Sequence, residues 1–196
     1  MGIDLAVLRF VADHRSPLLN SIARAVMWAG TAPAAFAVGA LAVGTFVIWT
    51  RRWRLAAAGA VALVVSYYAA AVLKAVFTRP RPPLSLALVQ LGGWSMPSSQ
   101  AAMTAALGVA GFLAFDWASR PALARLRPLA GLLDAAAVGA VGACMVYLGG
   151  HWLTDVLAGW CLGAAVGLAS AALARRLPLP EARPRAEAQA RTRDAA

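Results

Sequence analysis

A chain that repeats near-continuous apolar runs long enough to cross a bilayer cannot fold around one water-facing shell. It has to pack helices, because only a helix satisfies its backbone polar groups within one segment in lipid. Five such runs stand at 32–50, 55–77, 98–115, 128–148 and 151–174. Upstream, 3–13 and 17–30 mix apolar and charged positions at helical spacing, with Arg24 interrupting the second, so this part either spans or lies on the surface. The expected fold is an all-α polytopic membrane helical bundle of five or six transmembrane helices. Residues 1–31 are its N-terminal helices, interfacial or spanning, 32–174 the membrane bundle, and 175–196 a disordered cytoplasmic tail of Ala, Arg, Pro and Glu.

Charge follows the same division. The chain is 61% hydrophobic and 13% charged, yet carries a formal +10. In a soluble protein that excess would suggest nucleic acid; here most arginines sit in short loops or the tail, where anionic membrane lipids are the partners and no nucleic acid is expected. Alternating the spans puts Arg51, Arg52, Arg54, Arg120, Arg125, Arg127 and the tail on one face. The positive-inside rule makes that face cytoplasmic, and the expected location is the cell inner membrane, multi-pass. Asp4 and the absence of a basic-then-apolar order argue against a cleaved signal peptide, so the N-terminus is expected to be retained. Six tryptophans, Trp28, Trp49, Trp53, Trp94, Trp117 and Trp152, fall near span ends as an interfacial belt would. Cys144 and Cys161, in separate runs, read as small buried core residues, and His14 as a surface or interfacial residue.

The basic residues that break this topology gather at the opposite, outer face. Lys74, the chain's single lysine, lies inside an apolar run, where an unpaired ammonium is costly, so an anionic partner is expected. Arg79 and Arg81 follow in a loop whose prolines stop the helix and hold the chain extended. Ser98 stands where the next helix begins, with free backbone N–H groups and the positive end of the helix dipole beside it. His151 opens the last run with Asp155 four residues on, so one helical turn sets the carboxylate beside the imidazole and leaves Nε2 free as base or nucleophile. Gly159, Gly163 and Gly167 continue at four-residue steps, a stripe for close helix packing and a candidate seam for a possible homodimer. Each feature alone has an ordinary reading: a snorkelling lysine, a basic turn, a capping histidine. Their joint occurrence at one membrane face is what points to a phosphate site.

Lys-x6-Arg-Pro, Pro-Ser and His-x3-Asp, in that order and at these span ends, resemble the type 2 phosphatidic acid phosphatase / haloperoxidase superfamily over roughly residues 55–170. The resemblance implies a metal-independent phosphatase without cofactor, hydrolysing a phosphate ester or anhydride through a phosphohistidine. It makes Lys74 and Arg81 phosphate clamps, with Arg79 beside them, and Ser98, Ser99 and the following backbone phosphate donors. His151 becomes the nucleophile and Asp155 its orienter. The implied substrate is a lipid phosphate or diphosphate of the phosphatidic acid or polyprenyl diphosphate type.

Two positions depart from the pattern. Gln100 stands where the family has a histidine acid, and Met145 where it has a clamp arginine. A missing general acid costs about 10² to 10⁴ in rate, so impaired turnover is expected, with a preference for lipid diphosphates, whose leaving group needs a proton less. The alternative is a non-catalytic phospholipid or polyprenyl-phosphate binding or transport protein on the same fold; a purely structural subunit would leave Lys74 and the loop arginines without a purpose. Asp134, an acid inside a span, is expected to be paired or functional.

Overall fold

The computed structural model describes residues 2–29, 41, 44–45, 47–115, 117 and 121–177. The helices are α1 (Gly2–Asp13), α2 (Pro17–Ala29), α3 (Trp53–Phe77), α4 (Ser99–Ala114), a short α5 (Pro121–Ala124), α6 (Arg127–Tyr147) and α7 (Leu153–Arg176), with a 3-10 turn at Leu84–Leu86 and no strand among the described residues. α3, α6 and α7 are long and apolar enough to cross a membrane. α4 has 16 residues and a shorter reach. The 12 residues of α1 extend only about 18 Å, short of a hydrocarbon core, so this helix does not cross by itself. Helices thus stand at four of the expected runs, within a few residues of their sequence limits, and three of the four are long and apolar enough to cross. The expected span at 32–50 falls largely, and the tail from 178 onward wholly, outside the described residues.

The seam between α4 and α7 organises the bundle. An added Cβ at Gly159, Gly163 or Gly167 would overlap the carbonyl oxygen of Ser98, Ala102 or Ala106. Opposite the glycines, Ala101, Ala102, Ala105 and Ala106 are buried. Small residues on both sides let two backbones approach without a layer of side chains between them. The stripe is thus spent on α4 inside the chain and is closed to a second copy. α3 joins the seam through Ala58 and Ala62, which cluster with Ala106, Ala110 and Ala174.

α6 sits more loosely. Gly142 leaves room for Val156 and Trp160 of α7, while nearer the Arg127 end a cavity of about 420 Å³ opens between α4 and α6, lined by Thr104, Leu107, Phe112 and Asp134. Asp134 lies against Gly108 and makes no hydrogen bond or ion pair among the described residues. Cys161 is exposed on the outer face of α7 and Cys144 half-buried, so the expectation of two core cysteines holds for neither in full. The segment of α1 and α2 is tied to the end of the bundle that carries His151. Arg15 donates to the carbonyls of Tyr147 and Leu86, both at 2.8 Å, and the Tyr147 hydroxyl meets Asn20 at 2.9 Å.

Candidate active site

α3 ends because Thr78 turns into the left-handed region (φ 43°) and its N–H caps the Lys74 carbonyl at 3.0 Å. The prolines that follow hold the chain extended into the loop 78–98, which is stitched back on itself: Ser95 donates to the carbonyl of Arg79 from its N–H at 2.9 Å and its hydroxyl at 3.1 Å. Lys74 reaches this loop from below. Its ammonium donates to the carbonyls of Trp94 (3.1 Å), Ser95 (3.0 Å) and Pro97 (2.6 Å). These three carbonyl oxygens match the three donors of an ammonium. Lys74 therefore shapes the loop directly and offers the site its charge.

Arg81 faces the nucleophile candidate. Its Nε donates to the carbonyls of Gly92 and Gly93 at 3.0 and 3.1 Å, and Nη1 to the Gly150 carbonyl at 2.8 Å. The same Nη1 stands 3.3 Å from His151 Nε2. A guanidinium has no acceptor, so Nε2 presents its lone pair there and the imidazole proton resides on Nδ1. Nδ1 lies 3.5 Å from Asp155 Oδ2, at the outer limit of hydrogen bonding, and makes no closer polar contact. His151 is 4% exposed. Burial pushes its pKa below the ordinary imidazole value; Asp155 opposes this, and Arg81 and Lys74 push the same way as burial. The balance favours the neutral ring.

The backbone that delivers His151 needs its glycine. Gly149 has φ +72°, and a Cβ there would meet Leu86 O and Ala87 Cα at 2.7 Å. Gly150 and His151 then both send their N–H to the Met145 carbonyl, at 3.1 and 3.3 Å. Asp155 is fully buried in the first turn of α7. Its Oδ2 accepts from the Trp152 N–H at 2.9 Å, and its Oδ1 from Arg79 Nη1 at 2.5 Å.

Arg79 thus differs from its expected part beside the phosphate clamps. Its guanidinium is bound to Asp155 and, through Nη2, to Asp4 at 2.6 Å. Trp152 departs too: rather than joining an interfacial belt, it is 8% exposed and its indole donates to the Pro80 carbonyl at 2.9 Å. Ser98 caps α4, accepting from Ala101 N at 3.4 Å, while its own N–H donates to the Asp155 carbonyl at 2.9 Å. Ser99 opens the helix, and Gln100 follows half-buried, its side chain unbonded among the described residues. Met145 is 1% exposed and packs with Ala101, Leu148 and Val156. His14 is exposed and bonded to Phe10 O at 2.7 Å, away from the site.

Sequence reasoning missed Asp4 and Thr154. Asp4 accepts from the Thr154 N–H (2.9 Å) and hydroxyl (2.7 Å) as well as from Arg79, and this holds its carboxyl below the ordinary value although burial acts in the opposite direction. The available signal was a single acid in an otherwise apolar first turn.

The PAP2 superfamily pattern matches residues 55–178, well over half of the chain. The chain belongs to the PAP2 superfamily. Among solved structures, this PAP2 chain is similar to a transmembrane PAP2-type phosphatidylglycerolphosphate phosphatase from Bacillus subtilis, with 24% identity, a TM-score of 0.76, and 90% of this chain and 86% of that chain covered. It is also similar to LpxE from Aquifex aeolicus, with 21% identity, a TM-score of 0.65, and coverage of 85% and 93%. No curated protein matches it in sequence. At these identities the structural likeness establishes the shared fold, that of a multi-pass membrane protein.

Proposed function

We propose that this PAP2 protein is a metal-independent phosphatase of lipid phosphates, acting through a phosphohistidine on His151. The observation that carries the reading is the buried imidazole itself, with Nδ1 facing Asp155 and Nε2 facing the guanidinium of Arg81. A phosphoryl group drawn to Arg81 meets that nitrogen. Nε2 attacks the terminal phosphorus, the P–O bond to the lipid alcohol or lipid monophosphate breaks, and the leaving oxygen takes a proton from solvent water. Water then attacks the phosphohistidine, the P–N bond breaks, and inorganic phosphate departs. Asp155 stabilises the charge that develops on the ring. Arg81, the charge of Lys74, and the N–H groups at the start of α4 beside Ser98 and Ser99 hold the phosphoryl oxygens.

The reading extends to topology and substrate. The arginine distribution favours a site on the outer side of the inner membrane, with residues 1–31 at the interface and 32–174 forming the bundle. Gln100 cannot deliver a proton, so turnover is slow on a monophosphate ester, whose lipid alkoxide needs one. A diphosphate, expelling a weaker base, is preferred. A second reading, lipid-phosphate binding without turnover, is favoured by Met145, whose side chain is sealed into the apolar core.

The test is phosphate release by purified protein on a polyprenyl diphosphate and a phosphatidic acid, with trapping of an acid-labile, alkali-stable phosphoprotein. Release and trapping that disappear in His151→Ala support the hydrolase. Binding of both lipids with no release selects the second reading.

A further inference from the structure

Behind the nucleophile runs a line of alternating charge that begins on a different part of the chain. Asp4 of α1 is 3% exposed, and its Oδ2 meets Arg79 Nη2 at 2.6 Å. Arg79 Nη1 continues to Asp155 Oδ1 at 2.5 Å, and Asp155 Oδ2 faces His151 Nδ1 at 3.5 Å. Asp4 also receives both donors of Thr154, the residue just before Asp155, at 2.9 and 2.7 Å. α1 lies outside the matched 55–178 region, and none of the motif positions falls in it.

We propose that Asp4 is a positioning residue of the active site, holding Arg79 and the first turn of α7 so that Asp155 keeps its orientation and its field on His151. A guanidinium with one counter-ion draws that carboxylate fully to itself. With carboxylates on two sides, Arg79 is balanced, and Asp155 retains negative potential for the imidazole. The groups that face this line are Arg81 from the loop and Lys74 from α3 near the ring, the Trp152 N–H on Asp155, and the Ser98 N–H of α4 on the Asp155 carbonyl. α6 contributes only the Met145 carbonyl, which accepts from the His151 N–H. Asp4 is thus the second acid that offsets the three cations around His151.

The sign follows from charge. Removing the Asp4 carboxylate leaves Arg79 less neutralised, which disfavours the imidazolium, so His151 titrates at lower pH. Since neutral Nε2 is the attacking form, the acid limb of the rate profile moves down with it. A residue that merely pinned α1 in place would lower the rate and leave the titration where it was.

The chain has two histidines, His14 and His151, so imidazole 15N NMR of the full protein in micelles reads His151 directly, with or without turnover. In Asp4→Asn the His151 midpoint should fall by about half a pH unit. Asp4→Glu, which keeps the charge, should restore most of the shift. If the phosphatase reading also holds, and only this arm rests on it, kcat falls about tenfold while KM stays within about twofold. Should Asn not fold, Asp4→Ser is smaller, can still accept from Thr154 N, and is read the same way. An unmoved midpoint in a folded Asp4 variant overturns the proposal, whatever the rate does. A moved midpoint in a protein that releases no phosphate upholds the positioning and rejects the hydrolase.

Discussion

The two walls of the site are built on different principles. On the wall formed by the loop after α3 and the start of α7, charged side chains answer one another: Asp4, Arg79, Asp155, His151 and Arg81 stand in series, each within 3.5 Å of the next. On the wall where α4 meets α6, Gln100 makes no side-chain hydrogen bond among the described residues and Met145 is part of an apolar cluster. On the proposed reading, the first wall holds the nucleophile and its orienting charges. The second offers no acidic or basic side chain at Gln100 or Met145, and the apolar core packs around position 145. Nucleophile and leaving-group functions can therefore be tested separately, because different helices carry them.

The largest effects belong to the polar wall. His151→Ala should reduce phosphate release by about 10³-fold or more, measured in detergent against a parallel check of folding. Asp155→Asn keeps the shape but removes the charge that Arg79 and the imidazole share. A loss on the order of 10² or more is expected, concentrated in kcat. If Asp155→Asn were as active as the parent, the imidazole would be oriented by something else, and the contrast between the walls would disappear.

A pH profile sharpens the same side. Because burial and the two nearby cations lower the His151 pKa, the neutral attacking form persists below the ordinary imidazole value of 6.5. Release should rise with pH through a midpoint under 6.5 and be level by neutrality. A midpoint above that value would mean that Asp155 outweighs burial.

How much of this was visible in the sequence depends on distance along the chain. Helices at the apolar runs and the Ser98 cap follow from local rules, and the structure has them. His151 does face Asp155 at 3.5 Å, but from the turn before the N-cap Trp152, so the backbone at Gly149 and Gly150 rather than helical spacing delivers it. The direction of Arg79 was not visible, because its choice between a phosphate and a protein carboxylate depends on Asp4, 75 residues away. The same holds for Thr154 and Asp4, separated by 150 positions. Spacing identified a glycine face on α7 but not whether α4 or a second copy would cover it. It also could not show that the carbonyls of Trp94, Ser95 and Pro97 would meet Lys74.

The leaving-group wall gives the intermediate effect. Gln100 is half-buried at the start of α4, and a histidine is of similar size. Gln100→His should raise release from phosphatidic acid by up to about 10²-fold, and from a diphosphate by much less. An equal gain on both substrates would show that proton delivery was not the missing step.

Position 145 should give the smallest change, and it distinguishes a vacated functional position from a core position. Met145→Leu nearly conserves volume, so it should cost less than about 1.5 kcal/mol in stability and leave kcat within about twofold. Met145→Arg is the foil. Its guanidinium would have to displace contacts to Ala101, Leu148 and Val156 or emerge toward the phosphate beside Gly150 and His151. If the side chain stays in the core, an unpaired buried charge costs about 3 kcal/mol or more, and the protein melts lower without gaining activity. If it emerges, lipid phosphate protects the variant against unfolding more than it protects the parent. Thermal unfolding with and without a lipid phosphate separates these outcomes. The first would mean that Gln100 and Met145 are not equivalent losses: a proton donor can be restored at the mouth of α4, whereas the clamp position has become part of what holds α4, α6 and α7 together.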